Sequence, residues 1–204
     1  MRTGGGESRR LGLAIEALPL TLGHAAQIVG GMTREELAKR IADVSLLRGE
    51  FILRSGRKSN YYLDKYRFET QPDVLRELGK MFAERISPAV NRIAGAELGA
   101  VSLAAAASMA SGKPFVIVRN QKKDYGTSKL VEGILEAGDT VMIVEDVLTT
   151  GGQVLEAVKS LEQAGAKVDK IVAVIDRMEG ARENIEKAGV KLEALFTVKE
   201  LGIK

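Results

Sequence analysis

VMIVEDVLTTGG, Val141–Gly152, is the stretch that decides the fold. Val141 to Val144 is an unbroken apolar run, the composition of a strand buried on both faces of a parallel sheet. Two acids follow, Glu145 and Asp146. Then come Val147, Leu148, Thr149, Thr150 and the glycine pair Gly151-Gly152, and a helix is expected from there on. In an open α/β sheet, ligands bind beyond the carboxyl ends of the strands, which is where these acids fall. The loop amides and the two threonine hydroxyls can surround a phosphate, and the helix N-terminus adds partial positive charge. Gly151 and Gly152 permit close approach of the backbone. The two carboxylates are acceptors, suited to the vicinal hydroxyls of a sugar. An ordinary helix cap would need neither the apolar strand nor the paired acids. The patterns G-x-x-x-x-G-K-[ST] and G-x-G-x-x-G are both absent, so this is neither the usual ATP loop nor a dinucleotide turn.

Outward from this segment the chain alternates strand and helix. Strands are expected over 92–94, 114–119, 140–145 and 170–175, with a short last one over 192–196. Helices fit 100–110, 152–164 and 180–188, with Gly165 and Gly189 where a helix end takes a left-handed residue. Upstream, Thr33 and Glu36 form a capping box in front of a helix over 34–47. Residues 51–64 (FILRSGRKSNYYLD) read as two short strands around the polar turn 55–59. Thr70 is the expected cap of a second helix, with Pro72 in its first turn and its end near residue 86. The predicted architecture is an α/β sheet flanked by helices. The folded domain is expected to begin near Met32. Residues 1–31 are expected to be an extension, either flexible or carrying an extra helix over 11–18.

The composition narrows the chemistry. With no Cys, thiolate catalysis, disulfides and Cys-based zinc sites are excluded. The one histidine, His24, lies in the extension, so a His-rich metal site is excluded and His-based acid–base catalysis is not expected. A net charge of +3 on 204 residues is too small to imply nucleic acid as a partner. The longest uncharged candidate span, 98–112, falls short of the roughly 18 residues a membrane helix needs. Arg9-Arg10 precede an apolar stretch, but Glu16 and His24 interrupt it, so no export signal is expected. These readings point to a cytoplasmic protein.

The segment 141–153 resembles the signature of type I phosphoribosyltransferases that binds 5-phosphoribosyl diphosphate (PRPP). That signature is an apolar strand, two acids, two variable residues, Thr, a small residue, Gly and a small residue. The resemblance spans most of 32–204. It implies that family's fold: a mostly parallel central sheet flanked by helices, with a small N-terminal hood over about 32–66 completed by a C-terminal segment. It also implies that Glu145 and Asp146 hold the ribose hydroxyls, that Val147 and Leu148 belong to the PRPP-binding segment, and that Thr149, Thr150, Gly151, Gly152 and Gln153 hold the 5′-phosphate.

Two further segments resemble the orotate branch of that family. In 51–64, Arg54 falls where the family has a Lys near PRPP. Tyr62 and Leu63 fall at the pair that packs on orotate, with Leu63 in place of an aromatic. In 119–133 (RNQKKDYGTSKLVEG), Arg119, Lys123, Asp124 and Gly126 match a mobile basic loop; Asn120 replaces a Lys and Tyr125 a His. Such a loop can close, exclude water and neutralise a pyrophosphate leaving group. Tyr125 can still donate a hydrogen bond but cannot become cationic near neutral pH. By resemblance the loop reaches into a neighbouring subunit, which implies a homodimer with shared sites. Arg177 lies at the position of the orotate-carboxylate Arg, and Thr149 is the other orotate contact. Residues 95–99 (GAELG) lie at the pyrophosphate loop, where some members carry a Lys in place of Gly99.

The implied function is transfer of the phosphoribosyl group from PRPP to orotate, with Arg119, Lys123 and Asp146 as the catalytic groups. The implied cofactor is Mg²⁺, held mainly by substrate oxygens, with no protein metal ligand. Two alternatives stand beside this: a purine phosphoribosyltransferase, and a non-catalytic PRPP-binding regulator.

Overall fold

The computed structural model describes residues 31–52, 56, 58–120 and 129–203. Helix α1 (Arg34–Ser45) opens on the expected capping box: the Thr33 hydroxyl accepts from the Glu36 amide, and the Glu36 carboxylate accepts from the Thr33 amide. It stops two residues sooner than its apolar spacing suggests. The Ser45 hydroxyl donates to the Ile41 carbonyl, and Leu46 turns extended to start β1 (Leu46–Ile52). β1 pairs antiparallel with β2 (Lys58–Leu63), so the hairpin is longer on its first arm than expected. Part of its polar turn lies outside the described residues.

Thr70 caps no helix start. A five-residue helix, α2 (Lys65–Glu69), precedes it, and the Thr70 hydroxyl donates back to the Tyr66 carbonyl at that helix's end. The next helix, α3 (Pro72–Ala83), has Gln71 at its N-cap and Pro72 in its first turn. It ends three residues before the expected position.

From there the expected strands and helices follow, with one unexpected strand, β5, among them: β3 (Arg92–Ala96), α4 (Ala100–Ser111), β4 (Phe115–Val118), β5 (Val131–Glu132), β6 (Thr140–Leu148), α5 (Gly152–Gln163), β7 (Lys167–Asp176), α6 (Ala181–Lys187) and β8 (Lys191–Thr197). The six-stranded sheet runs in the order β5-β4-β3-β6-β7-β8. All its neighbours are parallel except β5, a two-residue antiparallel edge against β4 that no alternation pattern could reveal. β6 shows why its sequence is apolar throughout: Met142 and Val144 face one core cluster, Val141 and Ile143 the other. The first cluster gathers α1, α2, α3 and part of α4 around Phe68, Leu78 and Phe82; the second gathers α5 and α6 around Leu161 and Ile185. The strand also runs three residues beyond its expected end, through Val147 and Leu148, and Leu148 is buried.

The chain leaves β3 in one direction to β4, and in the other continues β6 to β7 to β8. The order therefore reverses between β3 and β6, which opens a crevice beyond their carboxyl ends. The loops after these two strands, 97–99 and 149–151, face each other there. Among the described residues, no helix is long and apolar enough to cross a membrane.

Candidate active site

The crevice starts from β6. Its last turns bring Glu145 (7% exposed) and Asp146 (2% exposed) to the buried end of the sheet. Both are shaped by their own backbone: Glu145 accepts from the Asp146 amide at 3.1 Å, and Asp146 accepts from the Val147 amide at 2.5 Å. The second oxygen of Glu145 is buried with no hydrogen-bond partner among the described residues. A buried unpartnered carboxylate oxygen is costly, and a ligand hydroxyl would satisfy it. Burial is the main reason that the Glu145 carboxyl is pushed well above the usual range, and the charge of Asp146 adds to it.

Val147 and Leu148, expected in the phosphate loop, complete the strand instead, so only their backbone faces its mouth. The exposed residues Thr149 and Thr150 form the loop itself. Gly151 follows with φ +79° at the N-cap of α5, packed 3.1 Å from Ile185 where a Cβ would sit. This is a conformation and a closeness that L side chains tolerate poorly. Among the described residues no side chain caps α5, and its first-turn amides have no partner within the helix. The Asn184 side chain donates to the Thr150 carbonyl at 2.9 Å and pins the loop from α6.

Asn120 ties three loops together. Its amide donates to the Glu97 carboxylate at 2.8 Å, its side chain donates to the Glu97 carbonyl at 2.9 Å, and Gln153 donates to its side-chain oxygen at 3.3 Å. The residue that breaks the expected Lys pattern is thus the one joining the end of β3, the end of β4 and the start of α5. Arg119 stands beside it, near Glu132 at 3.9 Å. Arg54, Lys123 and Tyr125, three of the expected PRPP-binding residues, lie outside the described residues.

Arg177 emerges from the end of β7. The Asp176 carboxylate accepts from the Met178 amide at 2.8 Å and shapes that turn, while the Arg177 amide donates to the Leu148 carbonyl at 3.0 Å. The Arg177 guanidinium therefore sits next to the end of β6. It pairs with Glu179 at 3.0 Å and donates to the Tyr61 hydroxyl at 3.2 Å. The hood partner of Arg177 is thus Tyr61. Strand alternation sends its neighbour the other way: Tyr62 is 45% exposed and packs on Phe51, with ring centroids 5.6 Å apart. Leu63 is buried in the core.

Two site residues carry no signal in the sequence pattern. Lys65 donates to Asp146 at 2.5 Å from the first turn of α2. Glu69, 3% exposed and one turn on, is in contact with the same acid. Lys65 and Glu69 stand four apart, the spacing that puts two side chains on one helix face. Gly99 makes room for this arrangement: a Cβ there would lie 1.9 Å from Asp146 and 2.9 Å from the Lys65 ammonium. Among the described residues no group of His, Cys, Asp and Glu is spaced to hold a metal ion.

The matches with known proteins follow the same lines. The family model for the phosphoribosyl transferase domain matches residues 67–200. The orotate phosphoribosyltransferase of Methanocaldococcus jannaschii is 49% identical over 169 residues, covering 82% of this chain and 96% of that protein. The one from Pyrococcus abyssi is 48% identical over 172 residues, covering 82% and 94%. The crystal structure of the Mycobacterium tuberculosis orotate phosphoribosyltransferase in complex with PRPP superposes with a TM-score of 0.72 at 31% identity, covering 83% of this chain and 99% of that one.

Proposed function

The chain belongs to the phosphoribosyltransferase family, and on that premise we infer that it catalyses transfer of the 5-phosphoribosyl group from PRPP to orotate, yielding orotidine 5′-monophosphate and pyrophosphate in pyrimidine nucleotide synthesis. One observation carries the reading: Glu145 and Asp146 lie near the carboxyl end of β6, ahead of a helix that no described side chain caps, while Arg177 and Tyr61 stand at the adjoining strand end. A phosphorylated sugar fits the first pair and a planar carboxylated ring the second.

The residue roles follow from this placement. Glu145 and Asp146 accept the ribose hydroxyls. The amides from Thr149 to Gln153, with the two threonine hydroxyls, hold the 5′-phosphate. Arg177 meets the orotate carboxylate, since its planar fork suits two oxygens at once. Tyr61 holds that guanidinium in place. Tyr62, assigned to orotate by resemblance, keeps that role only if the hood turns it inward. The bond from C1′ to the pyrophosphate oxygen breaks as a bond from C1′ to orotate N1 forms, through an oxocarbenium-like state. The ring nitrogen attacks as the anion, its proton passing to solvent, and no side chain is assigned as general base. Arg119 and Lys123 take up the negative charge on the departing pyrophosphate.

The proposed cofactor is Mg²⁺, carried mainly on the pyrophosphate and ribose oxygens. Bound so, the ion would neutralise charge on the leaving group. The catalytic domain is taken to be 32–204. A homodimer with shared sites and a cytoplasmic location complete the proposal.

The test is a panel of bases supplied with PRPP and Mg²⁺, following pyrophosphate release. Orotate alone should support turnover, and Lys123→Ala should lose turnover while still binding PRPP. Release with adenine or xanthine but not orotate would assign a purine enzyme. PRPP binding without release for any base would assign a regulator.

A further inference from the structure

We propose that Lys65 and Glu69 of α2 are positioning residues that discharge the ribose pocket, so that its carboxylates can receive a highly anionic substrate. The proposal rests on the PRPP-binding reading above.

Three carboxyls converge here: Glu145 and Asp146 from β6, and Glu69 from α2. All are nearly inaccessible to water. PRPP carries three phosphoryl groups. Three buried carboxylates would repel them strongly, because burial weakens screening. One lysine stands among them, with its ammonium on Asp146 at 2.5 Å and 5.4 Å from the Tyr66 ring centroid. The backbone is arranged for it: a side chain at position 99 would displace both the ammonium and the carboxylate it meets. Glu69 keeps one oxygen buried without a partner among the described residues, as Glu145 does. Neither shows the full set of donors that a buried carboxylate calls for.

The groups acting on the Glu69 carboxyl are Lys65 on its own helix, and Asp146 and Glu145 on β6. α1 and α3, packed against α2, share an apolar cluster with it through Leu37, Ile41, Val74 and Leu78 around Phe68. Burial foremost, and then the neighbouring Asp146, raises Glu69 to about 8. At neutral pH it is therefore a neutral acid beside an ion pair. The pocket then holds Asp146 paired with Lys65, and its neutral neighbours add no further repulsion.

Calorimetric titration of PRPP with Mg²⁺ into the full chain, from pH 7 to 9, tests this. The second ionisation of the phosphates lies near 6 and is complete in this window. The parent should bind more weakly as pH rises through about 8, because the raised Glu69 and Glu145 carboxyls both ionise there. Glu69→Gln, neutral at every pH and of the same shape, should bind as the parent does at pH 7 and show a smaller fall, the part that remains being that of Glu145. Lys65→Met should weaken PRPP binding about tenfold at pH 7, while Lys65→Arg recovers part of it. Folding of each variant is checked by circular dichroism. An unchanged pH profile in Glu69→Gln, or an unchanged affinity in a folded Lys65→Met, overturns the proposal. A parent chain that binds no PRPP at all overturns the PRPP-binding reading itself, which is a different result.

Discussion

The segment from β6 to α5 and the hood-side segment from β2 to α2 reach the same crevice by different means. The first builds its site from backbone: a buried strand, a turn at positive φ and an uncapped helix. The second builds its site from single side chains on a short strand and a five-residue helix, with Tyr61 on Arg177, and Lys65 and Glu69 on Asp146. On the proposed function, the backbone site holds what phosphoribosyl donors share, and the side-chain site sets which base is accepted and how charge is managed. Substitutions in the two regions should therefore separate general PRPP handling from base choice.

The largest effect is expected at the join between the regions. If Asp146 holds the ribose as proposed, Asp146→Ala loses charge-assisted hydrogen bonds worth about 1.5–3 kcal/mol each, so kcat/KM should fall roughly 10²–10⁴-fold for any acceptor. Gly99→Ala should approach the same loss with every carboxylate kept, since its Cβ would stand 1.9 Å from Asp146. A Gly99→Ala enzyme with parental kinetics would mean that the Asp146–Lys65 packing is unimportant.

Next comes Arg177→Ala. Loss of a two-point contact to the orotate carboxylate should raise the orotate KM about a hundredfold, with PRPP affinity kept, in steady-state kinetics varying each substrate in turn. Equal losses for both substrates would erase the distinction between the regions.

A smaller effect separates two adjacent tyrosines. Tyr61→Phe removes the hydroxyl that receives Arg177, and should raise the orotate KM by up to about tenfold, the value of one hydrogen bond. Tyr62→Phe should change little, because Tyr62 packs on Phe51 through its ring. The reverse order would place Tyr62 on the substrate.

The smallest effect is on stability. Glu69 titrates at about 8 in the folded chain against an ordinary 4.5. The folded state thus keeps a proton that the unfolded chain releases between those values. Its contribution is complete below 4.5 and lost as pH rises to about 8. Glu69→Gln has no such loss, so its Tm relative to the parent should be higher at pH 9 than at pH 6 by roughly 2–6 °C in thermal melts. An equal difference at both pH values would mean that Glu69 is already ionised at pH 6.

The same contrast governs how much of the molecule is legible in its sequence. VMIVEDVLTTGG announces itself because two-faced burial forces a continuous apolar run, and a phosphate turn demands glycine. The pairing of Glu145 with Asp146 is legible for that reason, while Arg177 is assigned by resemblance alone. Lys65 and Glu69 are not, because α2 is too short to show a period, and Thr70 just after it looks like the start of the next helix. Tyr61 and Tyr62 cannot be told apart by pattern, because alternation settles which residue faces inward only once the strand's register is known. Asn120 reads as a lost lysine, while its links to Glu97 and Gln153 depend on three separate element ends meeting. The hidden edge strand β5 has two residues, fewer than any pattern needs.

The most direct test compares two products that span both halves of the crevice. Orotidine 5′-monophosphate and uridine 5′-monophosphate differ only in the carboxylate assigned to Arg177. Calorimetry should show the first binding at least tenfold more tightly to the parent chain, and the difference should vanish in Arg177→Ala. Equal binding of the two nucleotides by the parent would contradict the assignment of orotate to this site.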